Sequence, residues 1–463
     1  MPLDVFDVVV LGGGTAGTNA AYQFARRGRR ALILERRPAE RGGAQWHNGV
    51  VDRHFVQAGL EPPSGPERGP SGVTVHLRGL DPRIGPTIRT PTVSADMALL
   101  GGRLRGLAAG AGVETIDAVT SFDPRVDPRT GRIRSLILRT AGARSTRTVT
   151  ADLYVDASGR AGALRRHAPD LAPWCPTVRG EDLCSASDGR YEVADAGGAE
   201  RFLERHGARP GDTVTRVGVD GGFSTLAVSV TEDLTRVGVL VGCLADGRHG
   251  PAPRLLADLL RAEPWIGTEI VLGTGVIPLR RPYARITAPG LALVGDAACQ
   301  VFPAHGSGIG IGLVAGSLLA EAVADADDPG DPERLWAGYQ APFQRSEGAD
   351  LAAYDVMRRA STHLDGAGVD ALVRSGLVDE RTARNGLDQR WAPPSPADTA
   401  RGLVRLARNP RVGRALAPFL TRAQLAHRHA RRHPAELDLD ALDRWAQRDR
   451  RLVEGGRLAP LDR

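Results

Sequence analysis

Apolar and polar positions alternate along this chain with two periods. The run Val5-Phe6-Asp7-Val8-Val9-Val10-Leu11 predicts a strand. Gly12 to Gly17 form a turn, Thr18 to Arg27 read as a helix, and Ala31 to Leu34 predict a second strand ending at Glu35, which together make a βαβ unit. Met97, Leu100, Leu104 and Leu107 recur at spacings of three and four, so Ser94 to Ala111 reads as a helix. From Thr115 to Val155 the pattern changes to short strands with a turn at Asp127-Pro128-Arg129-Thr130-Gly131, as in a small antiparallel excursion that returns to the main sheet.

The stretch from Trp174 to Arg281 mixes strand patterns (Ser224 to Val230, Arg236 to Val241) with a helical piece at Arg254 to Ala262. Leu291 to Val294 predict one more strand before a second glycine-rich segment, and Gly308 to Ala324 a long apolar helix. Beyond the breaker Asp327-Asp328-Pro329-Gly330-Asp331-Pro332 the chain reads as helical, with a partly mobile tail expected after Arg448. These patterns divide the chain into residues 1–165, a middle domain over 166–284, a return to the first domain over 285–345, and a helical C-terminal region over 346–463.

Composition narrows the function classes. With 463 residues, 42% of them hydrophobic, the chain has enough apolar material for two or three joined domains. It has no run of about 20 uncharged apolar residues, and it enters a strand directly without a basic leader, so a cytoplasmic protein is expected. Cys175, Cys184, Cys243 and Cys299 are widely spaced, which suggests neither disulfides nor a zinc site. The net charge is +6, and every basic residue other than histidine is an arginine. Because acidic residues alternate with the arginines, no nucleic-acid partner is expected. The absence of lysine also removes any lysine Schiff-base chemistry.

Gly12-x-Gly14-x-x-Gly17 lies between a predicted strand and helix, and Glu35 closes the next strand about 20 residues on. In such a unit the first glycine permits the tight turn, the second lets backbone amides approach a pyrophosphate, and the third lets helix and strand pack closely. Glu35 is placed to accept from ribose hydroxyls; Thr15, Ala16 and Arg36 complete the expected contacts of this half. Gly295-Asp296, then Pro303, Gly306, Gly308 and Ile309, form a second strand, turn and helix. There an aspartate can bind a ribityl chain, and the helix amides can face a flavin pyrimidine edge.

These segments, with Asp156-Ala157-Ser158-Gly159 between them, resemble in order and spacing the FAD-binding sequences of the geranylgeranyl reductase and aromatic hydroxylase superfamily. The resemblance covers residues 5 to 345, and Ile277-Pro278-Leu279-Arg280-Arg281-Pro282 is similar to geranylgeranyl reductases in particular. It implies an α/β fold: a Rossmann-like, glutathione-reductase-type FAD-binding domain, a mainly antiparallel substrate domain and a helical C-terminal region. Asp156 and Ser158 are the implied third FAD segment. The chain departs from the pattern in two places. Asp156-Ala157-Ser158-Gly159-Arg160 replaces the Asp-Gly segment of the hydroxylases, and Gly221-Gly222-Phe223-Ser224-Thr225 replaces the tryptophan-containing substrate segment of the reductases. Flavin-dependent halogenases share the FAD domain but usually use a lysine, which this chain lacks.

Three residues are candidates for work beside the flavin. His47, in Gln45-Trp46-His47-Asn48-Gly49, has several open roles: hydrogen-bond donor, acid or base, covalent attachment point, or a histidine merely satisfied in a loop. His305 suits proton delivery or packing, and Cys299 is the third candidate, with packing the blander role. Arg280, Arg281 and Tyr283 are set either to orient an anionic substrate or to brace a domain interface. His427, Arg428, His429 and His433 read as a solvated helix face and not a metal site. The function expected is FAD-dependent oxidation or reduction of a carbon bond in a small or medium organic molecule of specialised metabolism. NAD(P)H is the candidate transient donor, and a homodimer or a separate reductase the candidate partner. A flavin monooxygenase and a non-catalytic redox sensor are the competing readings.

Overall fold

A computed structural model describes residues 3–392, 395–408 and 410–455. The strand Leu3–Leu11 is central to the main sheet. On one side it pairs in parallel with Ala31–Leu34 and then Glu114–Ile116; on the other it pairs with Arg147–Asp156 and then Leu291–Leu293. Val8, Val9 and Val10 are fully buried, as an uninterrupted apolar run requires when both faces of a parallel sheet are covered. The antiparallel excursion predicted for 115–155 is the hairpin Val119–Val126 with Ile133–Thr140, whose second strand pairs with Arg147–Asp156. The returning strand Leu291–Leu293 joins the edge of Arg147–Asp156, so residues far apart in the chain complete one sheet.

The helices Thr15–Ala25 and Ile309–Ala322 pack unusually closely, because the second presents glycine where they cross. A Cβ on Gly312 would lie 2.9 Å from the Ala16 methyl, and one on Gly316 3.1 Å from the Ala16 carbonyl. Asn19 fixes the crossing by donating to the Leu313 carbonyl at 2.7 Å and to Ser317.

The second sheet has seven strands in the order Ile266–Pro278, Leu183–Val193, Arg236–Leu244, Ser224–Val230, Thr213–Val217, Thr74–Arg78 and Thr87–Arg89. All neighbours are antiparallel except Thr213–Val217 with Thr74–Arg78. A sequence boundary at residue 165 therefore does not separate the two sheets. Residues 74–89 leave the first domain and extend the second, a long-range pairing that no local pattern encodes. Helices Ala196–Arg205 and Ala252–Ala262 cover one face, packing on Val237, Val239, Val241 and Tyr191. The other face turns toward the glycine-rich segments.

The C-terminal helices form their own core around Trp336, Leu416, Phe419 and Trp445. The last, Leu439–Glu454, is held through its final turn: Asp449 accepts from Arg281 at 2.5 Å, and Val453 is buried. Mobility expected from Arg448 onward is thus corrected as far as Gly455; the remainder of that stretch lies outside the described residues. The histidine cluster is likewise not a solvated face. His433 is fully buried between Trp336 and Trp445, His429 stacks on Trp445, and His427 pairs with Asp350. Among the described residues no helix is long and apolar enough to cross a membrane.

Candidate functional site: a dinucleotide cleft facing a side-chain-free sheet floor

The first glycine loop divides its work among its residues. Gly12 has φ +114°, and a Cβ there would lie 2.3 Å from the Ala157 carbonyl. A Cβ on Gly17 would lie 2.1 Å from the Gly12 carbonyl. Both are glycines because backbone packs against backbone. Gly14 differs, since a Cβ there meets nothing within 4 Å, which leaves open space beside the start of the helix Thr15–Ala25. No side chain caps that helix, nor the helix Ile309–Ala322, whereas the helices beginning at Met97, Gly366 and Leu439 are each capped by an aspartate. Uncapped first-turn amides beside open space suit an anionic or electron-rich ligand. Glu35 accepts from Gly13 N–H at 2.7 Å through one oxygen and from Arg37 N–H at 2.8 Å through the other. Arg36 is exposed at the rim, while the Ala16 methyl packs on Gly295 and Gly312, so Ala16 can offer only its backbone to the open space.

Asp296, after the returning strand, has no side-chain hydrogen-bond partner among the described residues. Burial without a countercharge pushes its carboxyl up to about 6. Such a group awaits a hydroxyl donor. The nearby Ser307 hydroxyl donates to the Gly49 carbonyl at 3.0 Å, which ties the second glycine segment to the strand His47–Val50. Gly306 (φ +82°) marks the closest approach to the second sheet, where a Cβ would lie 3.1 Å from Ile277. Pro303 is buried beside it, and Gly308 and Ile309 open the helix.

The sheet face opposite these segments is short of side chains. Ala186 stands directly across from Gly242 and Gly275, and Gly242 across from Thr225; a Cβ on Gly275 would meet nothing within 4 Å. Ile277, Phe223, Cys184, Leu244 and Leu279 close one end in an apolar cluster. At the other end Asp188 stands across from Leu240 and Gly273, and the Trp46 ring lies on Gly273. Burial pushes the Asp188 carboxyl up to about 6, opposed by the Arg190 guanidinium and the His47 backbone N–H.

Residues 7–167 match a family model described as FAD dependent oxidoreductase. The chain is 24% identical over 408 residues to a digeranylgeranylglycerophospholipid reductase of Sulfolobus acidocaldarius, covering 86% of this chain and 87% of that protein. Its fold is similar to a solved geranylgeranyl bacteriochlorophyll reductase-like protein of Thermoplasma acidophilum (TM-score 0.70, 19% identity, 90% of this chain and 100% of that one). A flavin-dependent brominase shares the fold as well (TM-score 0.61, 16% identity, 87% and 99%). The chain is an FAD-dependent oxidoreductase, similar along most of its length to geranylgeranyl-type reductases.

The donor set of this oxidoreductase fits FAD: open glycine space for a pyrophosphate, an unpartnered Asp296 for hydroxyls, and two uncapped helix starts. Asp156 and Ser158 are the exception. Asp156 is fully buried, and its oxygens accept from Ser158 N–H and Oγ, Leu164 N–H and Arg165 N–H. Ser158 Oγ in turn accepts from Ala163 N–H. This pair organises the loop after its strand, and neither side chain is left for a cofactor.

Of the three residues considered for chemistry, His47 lies nearest the sheet floor. Burial and Arg190 lower its pKa, Asp96 (3.8 Å away) opposes them, and its Nδ1 is buried without a partner. His305 packs on Phe302, and burial lowers it to about 4, so it is a neutral ring at ordinary pH and a poor proton donor. Cys299, in the left-handed conformation (φ +58°), is buried in the main core and raised by that burial, so it is a packing residue. Arg281 braces the interface with the C-terminal helices through Asp355, Asp449 and Glu454. Arg280 lies over the Tyr283 ring at 5.0 Å. Asp188 is absent from the sequence reading. Its only local signal is a charge in the middle of a strand pattern, and its importance depends on which face that strand turns inward.

Proposed function

We propose that this enzyme reduces a carbon–carbon double bond in a largely apolar small or medium organic molecule. The observation that carries the reading is the side-chain-free floor around Ala186, Gly242 and Gly275, apolar at the Ile277 end and bearing the Asp188 carboxyl at the other. Bound FAD, held by Gly14, Glu35, Asp296 and the amides at Ile309, supplies two-electron hydride chemistry. The chain's own residues do the rest. The floor leaves room for an olefin and the packed sheet excludes water. Asp188, its carboxyl raised by burial to about 6, supplies a proton to the carbon that does not receive hydride, with Arg190 and the His47 backbone N–H holding its affinity down. The named activity of the Sulfolobus relative agrees with olefin reduction.

NADH or NADPH is the proposed electron donor. The test is anaerobic: bleaching of the flavin absorbance on adding either nicotinamide, then product mass after adding prenyl or terpenoid olefins. A mass gain of two hydrogens supports the reading. Oxygen consumption coupled to gain of one oxygen atom would replace it with the monooxygenase.

A further inference from the structure

A second cavity, of about 530 Å³, opens between the first domain and the C-terminal helices. Five arginines line it: Arg53, Arg345, Arg390, Arg428 and Arg431. The carboxylates at its wall are mostly committed elsewhere, since Asp350 pairs with His427 and Glu347 accepts from Ser346. Arg428 and Arg431 carry no side-chain hydrogen bond or ion pair among the described residues, and Arg345 spends its guanidinium on the His433 carbonyl. Surplus positive charge on a solvated surface would mean little. Here, however, three polar atoms in the cavity wall are buried without a hydrogen-bond partner, Arg53 Nε, His54 Nδ1 and Gln389 Oε1. Arg53 Nη2 donates to the Asp388 carbonyl at 2.7 Å, while its Nε has only the Asp388 carboxylate 3.6 Å away, and Gln389 itself is 5% exposed. Gln389 is also held in the left-handed conformation at φ +56°, which an ordinary side chain adopts at a cost. Burial, then Arg390, lowers the Arg53 pKa, and the carboxylates of Asp388, Glu347 and Asp350 only partly oppose them.

We propose that this cavity is a binding site for a small organic polyanion bearing phosphoryl or carboxylate groups, distinct from the flavin cleft. Arg53, Arg390, Arg428 and Arg431 supply charge-assisted donors, and Gln389 Oε1 accepts from a hydroxyl of the ligand. Trp391, whose indole donates to Gln424 at 3.0 Å, forms part of the wall and reports occupancy. The site abuts the flavin helix: His54 lies against Gly310, where a Cβ would come 2.3 Å from its Nδ1, and Ile311 lines the cavity.

The experiment titrates the full-length holoprotein with pyrophosphate and, separately, citrate at about 150 mM salt, an ionic strength that screens loose surface attraction. Binding is followed by calorimetry and tryptophan fluorescence. Saturable one-to-one binding of at least one probe is expected, with affinity falling at least tenfold in Arg428→Glu/Arg431→Glu and unchanged in the remote Arg125→Glu. The tighter probe tells phosphoryl from carboxylate ligands. Gln389→Gly, which suits the left-handed backbone, should weaken citrate binding, and Trp391→Phe should abolish the fluorescence change while leaving the calorimetric signal. No saturable binding of either probe, or equal weakening in the remote variant, would overturn the proposal.

Discussion

The Glu35 carboxylate grips the glycine loop directly, accepting from Gly13 N–H at 2.7 Å while its other oxygen accepts from Arg37 N–H. One side chain at the end of the second strand thus sets the shape of the turn that follows the first. Losing charge-assisted bonds of this kind costs roughly 1.5–3 kcal/mol. Glu35→Ala should therefore weaken FAD binding by about ten- to a hundredfold, with Glu35→Gln between it and wild type. Reconstitution of apoprotein followed by flavin fluorescence quenching checks this, and full occupancy in Glu35→Ala would show that the loop holds its shape unaided.

Gly14 and Gly17 should fail in different ways. Gly14→Val places its side chain in open space, so the apoprotein should melt near wild type yet purify without FAD. Gly17→Ala drives a methyl against the Gly12 carbonyl, so the apoprotein itself should lose several degrees of melting temperature. Identical behaviour of the two would refute this division of labour.

Asp188 and Asp296 both have carboxyls raised by burial to about 6. Between the ordinary carboxyl range and about 6 the native apoprotein binds more protons than the unfolded chain, so its stability falls as pH rises through that window and levels off above it. Asp296→Asn should flatten the slope and raise apoprotein stability at pH 7 while weakening FAD binding. Denaturant titrations at pH 5 and pH 7.5 measure it; an unchanged slope would assign the pH dependence elsewhere.

If Asp188 delivers the proton, Asp188→Asn should slow olefin reduction by about a hundredfold or more. Bleaching of the flavin by the nicotinamide should stay within a factor of two or so of wild type. The fall in rate as pH rises through about 6 should disappear with it. Equal loss in both half-reactions would make Asp188 structural.

Arg281 is buried with Asp355, Asp449 and Glu454 around it. Removing one member of such a cluster leaves uncompensated buried charge, so Arg281→Met should cost about 3–5 kcal/mol. Asp355 keeps Arg358 and Arg359, so the carboxylate left uncompensated is Asp449, and adding Asp449→Asn should recover part of the loss. Urea unfolding of both proteins tests the coupling, and simple additivity would argue against a shared network.

Local order along the chain determined the βαβ unit, because strand period, turn glycines and the acid at Glu35 all act within about 30 residues, and the order of the three segments carried the family resemblance that implied FAD. Glu35 and Gly14 stand out for that reason, and Asp296 stands out by its place after the second glycine-rich segment's strand. The roles of Asp156 and His305 do not stand out. A carboxylate reads the same in a sequence whether it faces a ligand or four amide and hydroxyl donors of its own loop, and a histidine reads the same whether solvated or buried on Phe302. Only the tertiary structure decided that residues 74–89 join the middle sheet, that Arg281 meets Asp449, and that Asp188 turns toward the glycine-lined space beside Trp46. Each depends on strand register or on contacts between segments more than 100 residues apart. A single-residue slip in register would have sent Asp188 to the opposite face.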